Sequence, residues 1–522
     1  MGIVNLIASI ISNVSDDQVF SEAIKLAIGV TVGGNIKGQE TFYKTFSEGY
    51  STKFKYKDTK NNEGLRVLQT IKARLDKAFE NIRKIYELKN DLIIKFSHID
   101  QANQTEDYKK TLKKYDSQAL NSVKVAKRIF RFLQLLCEGH NSKLQNYLRQ
   151  QFQEEDPFFS MNINFVNYAA MTLGSFVKYV NPSLIDLGSR IFDFLIEVIQ
   201  GPCTANQSAL FDAKIVDYCK DLMNEFVTDK DYKVKGFEEH RSEIDSMIKW
   251  SIKLLYTLLE ANRDREIIEY IAFNVEFEYL MKVLTNEFVE MFSEIEQLTE
   301  QNLAEWSIEK LNKKLMVSLF DEDSSETFDI FFLIKTLNNQ TGRYSNDISK
   351  LTGLQKNAFD FYSFHTGQLE LVFRDNELYN QYFIIQPACR YYEDSDKDDL
   401  MVNLNRDSAK EQVTDFLSYA PKIFDTIEHL SKLLKDQKFY TPSIKLYKQL
   451  RLLSLFIAII INILILCFFK KKLEKGASVN DPYFDSGHIV MRALGGLHTF
   501  IGLILIWVWS KAKSPMVRID ES

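Results

Sequence analysis

Glycine and proline are scarce, 20 and 8 residues in a chain of 522. Loop-rich and all-β builds need more of both, so their scarcity beside abundant Leu, Ile, Phe, Lys and Glu points to helices. An excess of one charge is missing too. The net charge is −6 and Lys and Arg are scattered, with no basic stripe to follow a phosphate backbone, so nucleic acid is not an expected partner. The five cysteines, Cys137, Cys203, Cys219, Cys389 and Cys467, have no CxxC spacing and no secretory signal before them. They read as buried thiols in a reducing compartment. HExxH, GxSxG and a glycine-rich phosphate loop are all lacking and the seven histidines stand far apart, so the chain does not read as an enzyme. His98, His140, His240 and His429 read as surface or packed histidines rather than ligands. Leu6 stands where a myristoylation signal after Met1-Gly2 needs Ser or Thr, which excludes that anchor.

What is present is helical periodicity. Ser15-Asp16-Asp17-Gln18 precedes Val19, Phe20, Ala23, Ile24, Ala27 and Ile28. That pattern predicts a helix capped by Ser15, with Gln18 reaching back and Gly33-Gly34-Asn35 ending it. The polar stretches 53–64 and 100–118 read as solvated or flexible connections around a helix over about 65–96. From Val123 to about Phe292 helix follows helix, in sets such as Ile129, Phe132, Leu133 and Leu136, then Ile191, Phe194, Leu195 and Val198, then Ile252, Leu255, Leu258 and Leu259. Breaks at Asn181-Pro182 and Gly201-Pro202 separate them. The fold class expected is therefore mainly α, an irregular, armadillo-like helical solenoid, although no clean 34- or 40-residue repeat is visible.

The acidic run at 321–326 reads as a loop, and a helical pattern resumes from Ile330. The period then shortens to two in Gln368–Phe373 and Tyr379–Ile385, flanking a turn at 374–377, which predicts a β-hairpin. Asp394-Ser395-Asp396-Lys397-Asp398 alternates like the start of an EF-hand loop. Asp399 replaces the required glycine and Asn405 the bidentate glutamate, so it reads as a solvated loop.

Two segments suit a membrane. Leu452 to Phe469 has only Ser454 and Asn462 as polar residues, and Ile489 to Trp509 carries Arg492 and His498 but ends in Ile-Trp-Val-Trp. Each approximates the ~30 Å hydrocarbon layer, and two crossings return the chain to the side it left. Lys445, Lys448, Arg451, Lys511, Lys513 and Arg518 favour cytosolic flanks, whereas Lys470-Lys471-Lys472 opposes that orientation. Arg492 reads as snorkelling, and Asn462 as bonding a neighbouring helix.

Certain segments resemble a known family. Phe132–Asn141 (FLQLLCEGHN), Leu144–Arg149 (LQNYLR), Phe194–Cys203 (FLIEVIQGPC) and Gly201–Gln207 (GPCTANQ) resemble the RIH-associated domain shared by inositol 1,4,5-trisphosphate receptors and ryanodine receptors. Asn5-Leu6, Asp17–Phe20 and Gly33–Asn35 are similar to the segment upstream of it, and His365–Val372 to the linker before the membrane domain. No long EF-hand insert of the ryanodine receptor kind lies between, so the trisphosphate receptor is the nearer family.

The resemblance implies four regions: N-terminal helices at 1–118, the RIH-associated domain at 119–292, a helical and hairpin linker at 293–440, and a membrane region at 441–522 with helices near 452–469 and 489–509. It implies that Glu138 and Glu197 help bind regulatory calcium, with Gln200 a supporting polar group. It also implies a tetrameric calcium-release channel of the endoplasmic reticulum or another internal membrane, with other channel subunits, the lipid bilayer and calcium as partners. The family's ligand-binding core, pore and third calcium ligand lie outside the matched segments. The expectation is therefore a partial subunit with weak calcium binding, from a truncated product or an incomplete gene model. A membrane-tethered helical scaffold or short modulatory subunit without channel activity fits the same segments.

Overall fold

The computed structural model describes residues 2–47, 63–96, 106–156, 159–177, 184–226, 238–296, 300–306, 311, 322–372, 378–386, 389, 394–436, 440–468 and 488–510. The chain forms two units. The first comprises Met1–Glu305, Glu322–Phe364 and Gln368–Tyr382; the second comprises Trp306–Asp321, His365–Gly367 and Phe383–Ser522.

The first unit opens with α1 (Gly2–Asn13), α2 (Asp17–Thr31), α3 (Ile36–Ser47), α4 (Glu63–Phe96) and α5 (Glu106–Cys137). Next come α6 (Ser142–Arg149), α7 (Phe165–Val177), α8 (Ile185–Ile199), α9 (Thr204–Asp212), α10 (Ile215–Glu225) and α11 (Arg241–Leu258). It continues through α12 (Arg265–Asn274), α13 (Phe277–Glu296), α14 (Glu300–Glu305), α15 (Glu322–Thr341), α16 (Ser345–Ser349) and α17 (Gly353–Phe364). Long helices α4, α5, α8, α11 and α15 lie side by side in that order, as the apolar spacing predicts for a solenoid. Their facing stripes are fully buried, Leu68 and Leu75 on α4, Phe130 and Leu133 on α5, Phe194 and Leu195 on α8, and Leu254 and Leu255 on α11. Phe130 bridges two neighbours, its ring 6.2 Å from Phe79 and 5.9 Å from Phe194.

Strands β1 (Thr366–Val372) and β2 (Leu378–Ile384) form the expected two-stranded hairpin, whose turn residues 374–377 lie outside the described residues. Gln368 Nε2 donates across it to Asn380 Oδ1 at 2.9 Å. Asn339 Nδ2 on α15 donates to the Tyr382 hydroxyl at 2.6 Å, and Phe332 stacks on the same ring.

In the second unit α18 (Asp394–Asn403) and α19 (Ala409–Asp436) precede α20 (Tyr440–Phe468) and α21 (His488–Val508). Gln449–Leu466 and Val490–Val508 are long and apolar enough to cross a bilayer. Leu452, Phe456, Leu466, Phe500, Leu503 and Ile506 all lie at the surface, an arrangement that water would penalise and lipid would not. The two helices pack along one another, burying Ile457 and Ile501, and Ser454 Oγ meets His498 Nδ1 at 3.3 Å. Arg492 and Asn462 are exposed.

Five expectations need correction. The cap of α2 is Asp16, not Ser15: its carboxylate accepts from the Gln18 and Val19 amides at 2.7 and 2.9 Å, and a full charge suits the helix dipole better than a hydroxyl does. Residues 106–118 are helical rather than a connection, since Asp116 pairs with the buried Lys89 of α4 at 2.7 Å while Lys110, Lys113 and Lys114 face solvent. Residues 322–326 begin α15 instead of forming a loop, because acidic side chains favour a first turn. The EF-hand-like stretch lies in α18. Cys389 is exposed, whereas Cys137, Cys203 and Cys219 are buried as expected. His98, the stretch 53–62, Asn181-Pro182, Lys470-Lys471-Lys472, Lys511, Lys513 and Arg518 lie outside the described residues.

Candidate functional site

Three long helices end alike. α5, α8 and α11 each run into a residue with left-handed backbone, Gly139 (φ 77°), Gly201 (φ 91°) and Ala261 (φ 46°). Glycine tolerates that conformation because it has no Cβ to strike the following carbonyl. At Gly201 space forbids a side chain as well, for a Cβ there would stand 2.8 Å from His140 Cβ.

Such an end leaves main-chain carbonyls without intrahelical donors. In each case a buried glutamine on a short helix supplies them. Gln39 on α3 donates its Nε2 to the carbonyls of Leu135 (2.9 Å) and Glu138 (2.7 Å). Gln145 on α6 donates to those of Glu197 (2.8 Å) and Gln200 (2.9 Å). Gln207 on α9 donates to those of Thr257 (3.1 Å) and Glu260 (3.0 Å). The register is the same throughout: the clasped carbonyls belong to the fourth and first residues before the left-handed one. The glutamines are 2%, 1% and 0% exposed, so each clasp is shielded from competing water. Asn206 ties adjacent clasps together, donating to the carbonyls of Gln145 and Val198 and accepting from Arg149 Nε at 2.8 Å.

Glu138 and Glu197 occupy two of these clasped positions, Glu138 at the end of α5 and Glu197 in the last turn of α8. The corresponding residues one helix further on, Gln200 and Thr257, are neutral. Both glutamates are half-buried. Glu138 Oε2 and Glu197 Oε2 are buried without a hydrogen-bond donor, an arrangement that costs several kcal/mol for an ionised oxygen unless a cation or a proton relieves it. Burial raises the Glu197 carboxyl above its ordinary range, and the Glu138 carboxylate adds to the rise. His140 opposes it, Asp193 adds to it and Lys253 opposes it. Burial likewise raises the neighbouring Cys137 thiol, with Glu197 and then Cys203 adding to the effect, so that thiol stays protonated and inert.

The sequence-predicted glutamates therefore interact, as two hard oxygen donors suited to a cation such as calcium. Among the described residues no three His, Cys, Asp or Glu side chains gather as a metal site. Gln200 is placed by its main chain, its amide bonded to Ile196 O and its carbonyl held by Gln145. His140 is exposed with left-handed backbone, against Gly201. His240 pairs with Glu243. The three clasping glutamines were not singled out from the sequence. The signal was there: each stands six residues after a left-handed glycine, Gly33, Gly139 or Gly201.

Residues 120–223 match the family model described as RyR and IP3R Homology associated. Over 419 residues the chain is 24% identical to the inositol 1,4,5-trisphosphate receptor itr-1 of Caenorhabditis elegans. That alignment covers 69% of this chain and 14% of the relative, so the chain spans a small part of the relative's length.

Proposed function

Because the chain belongs with the inositol trisphosphate and ryanodine receptors, nearer the former, we propose that it is part of a calcium-release channel subunit whose helix ends sense calcium. Glu138 and Glu197 supply carboxylate oxygens to the ion, and Gln200 lies close behind them. The carrying observation is the pair of buried carboxylate oxygens without donors, set where the neighbouring turn has Gln200 and Thr257. Calcium takes about six to eight oxygens and two carboxylates give four at most, so the ion binds weakly and water or another segment completes its shell. A bound ion draws the ends of α5 and α8 together. The row of packed helices from α8 through α11 to α15 links that movement to the hairpin held by Tyr382. Helices α20 and α21 cross an internal membrane such as the endoplasmic reticulum, where the chain assembles with other channel subunits. No catalytic step is assigned.

Calorimetric titration of the full chain in mild detergent tests the assignment. Wild type should bind calcium in the range of tens of micromolar to millimolar. Glu138→Gln and Glu197→Gln should each weaken binding by about tenfold or more with the helical circular dichroism unchanged. Equal affinity in all three proteins removes the pair from the site.

A further inference from the structure

The Leu144–Arg149 and Gly201–Gln207 motifs are not absorbed by calcium binding itself, since neither Gln145 nor Gln207 supplies an oxygen to the acid pair. Their amides go elsewhere, to helix-end carbonyls with Gln39 doing the same one unit earlier. Two of the carbonyls held this way belong to Glu138 and Glu197 themselves. A carboxylate on a frayed helix end samples many positions, whereas one whose own peptide is fixed by a buried donor has few. The third clasp holds Glu260, whose carboxylate instead accepts from the Gly201 amide at 3.3 Å, so it repeats the architecture away from the acid pair.

We propose that Gln39 and Gln145 are positioning residues for the cation site: by clasping the carbonyls of Glu138 and Glu197 they fix the two carboxylates at one separation and so set the affinity for a divalent cation. The inference rests on the reading of Glu138 and Glu197 as calcium ligands. Gln39 and Gln145 act from neighbouring short helices, the first through α3 onto α5 and the second through α6 onto α8. Asn141 Nδ2 donates to Gln39 Oε1 at 3.0 Å, which turns the Gln39 amide nitrogen toward the carbonyls. Gln207 provides the internal comparison, being as buried and donating to two carbonyls in the same register, though its own Oε1 has no donor, and clasping no member of the pair.

The test uses the full chain in mild detergent with calcium as the probe. Gln39→Met, Gln145→Met and Gln207→Met keep side-chain length and remove the donor, and each is titrated calorimetrically and melted by circular dichroism. Terbium is bound in parallel, and its luminescence lifetimes in light and heavy water count the waters on the ion, a readout that stability alone does not move. All three variants should melt earlier than wild type. Gln39→Met and Gln145→Met should also bind calcium about five- to twentyfold more weakly and leave at least one more water on terbium, while Gln207→Met keeps wild-type affinity and hydration. If a methionine variant fails to fold, its asparagine counterpart, which keeps a shorter amide, takes its place under the same criteria. Wild-type affinity and hydration in the Gln39 and Gln145 variants overturn the positioning role, and so does an equal loss in the Gln207 variant. Absence of calcium binding in wild type, or unchanged binding in Glu138→Gln and Glu197→Gln, overturns the ligand assignment instead, so the two failures are distinct.

Discussion

Asp329 on α15 is half-buried beside Lys253 of α11, its Oδ2 3.9 Å from the Lys253 Nζ. Burial raises its carboxyl to about 6, Lys253 opposing the rise and Glu326 adding to it. The folded chain therefore holds this proton more tightly than the unfolded chain, and between about pH 4 and pH 6 it binds more protons. Stability must then fall as pH rises through that window, the reverse of an ion-paired surface carboxylate. Urea melts of wild type and Asp329→Asn at several pH values should show wild type losing roughly 2 kcal/mol more than the variant between pH 4 and pH 7. Parallel pH profiles would show that Asp329 titrates normally. Nothing in the sequence marks this residue. Asp329 stands between Phe328 and Ile330 in a helical pattern, and only the packing of α15 on α11 decides that it is inside.

At the scale of single elements, helix ends were the most legible features and helix starts the least. Gly33-Gly34, Gly139 and Gly201 announce their ends because left-handed backbone has few occupants other than glycine. The starts of α5 and α15 were obscured by polar and acidic residues, which suit a first turn as well as they suit a loop. The clasps were invisible for a different reason. A buried glutamine is recognised by its partner, and Gln39 reaches a carbonyl on Glu138 that is remote along the chain. The helix ends also differ in how much room they leave. Beside Gly139 a Cβ would meet nothing within 4 Å, but beside Gly201 it would strike His140. Gly139→Ala should thus cost about 1–2 kcal/mol from backbone strain alone, and Gly201→Ala about 1–3 kcal/mol more. Urea melts of the two variants give the comparison, and equal costs would mean that His140 yields freely.

For the whole molecule, the fold class was readable because apolar spacing survives in every long helix, while the order in which α4, α5, α8, α11 and α15 pack was not, since it depends on contacts between distant segments. Glu138 and Glu197 were singled out through family resemblance rather than through spacing. The two apolar helices should place both ends of the chain on the cytosolic side. Protease added to sealed microsomes should therefore remove tags from the N-terminus and the C-terminus alike, and protection of either would mean that only one helix spans.

The clasps also divide the chain into stretches whose length matters and stretches whose length does not. Between Gln39 and the end of α5 stand α4 and most of α5, whereas between Gln145 and the end of α8 stand little more than α7 and α8. Both clasps nonetheless close in the same register. Chain added or lost on the far side of a long helix leaves the hydrogen bonds untouched. From Gly139 to Gln145 and from Gly201 to Gln207 the count is fixed at both ends, one by the helix it terminates and the other by the helix it holds. A single residue inserted there would unfasten two turns of the solenoid at once, so these short intervals are the places where the molecule keeps count.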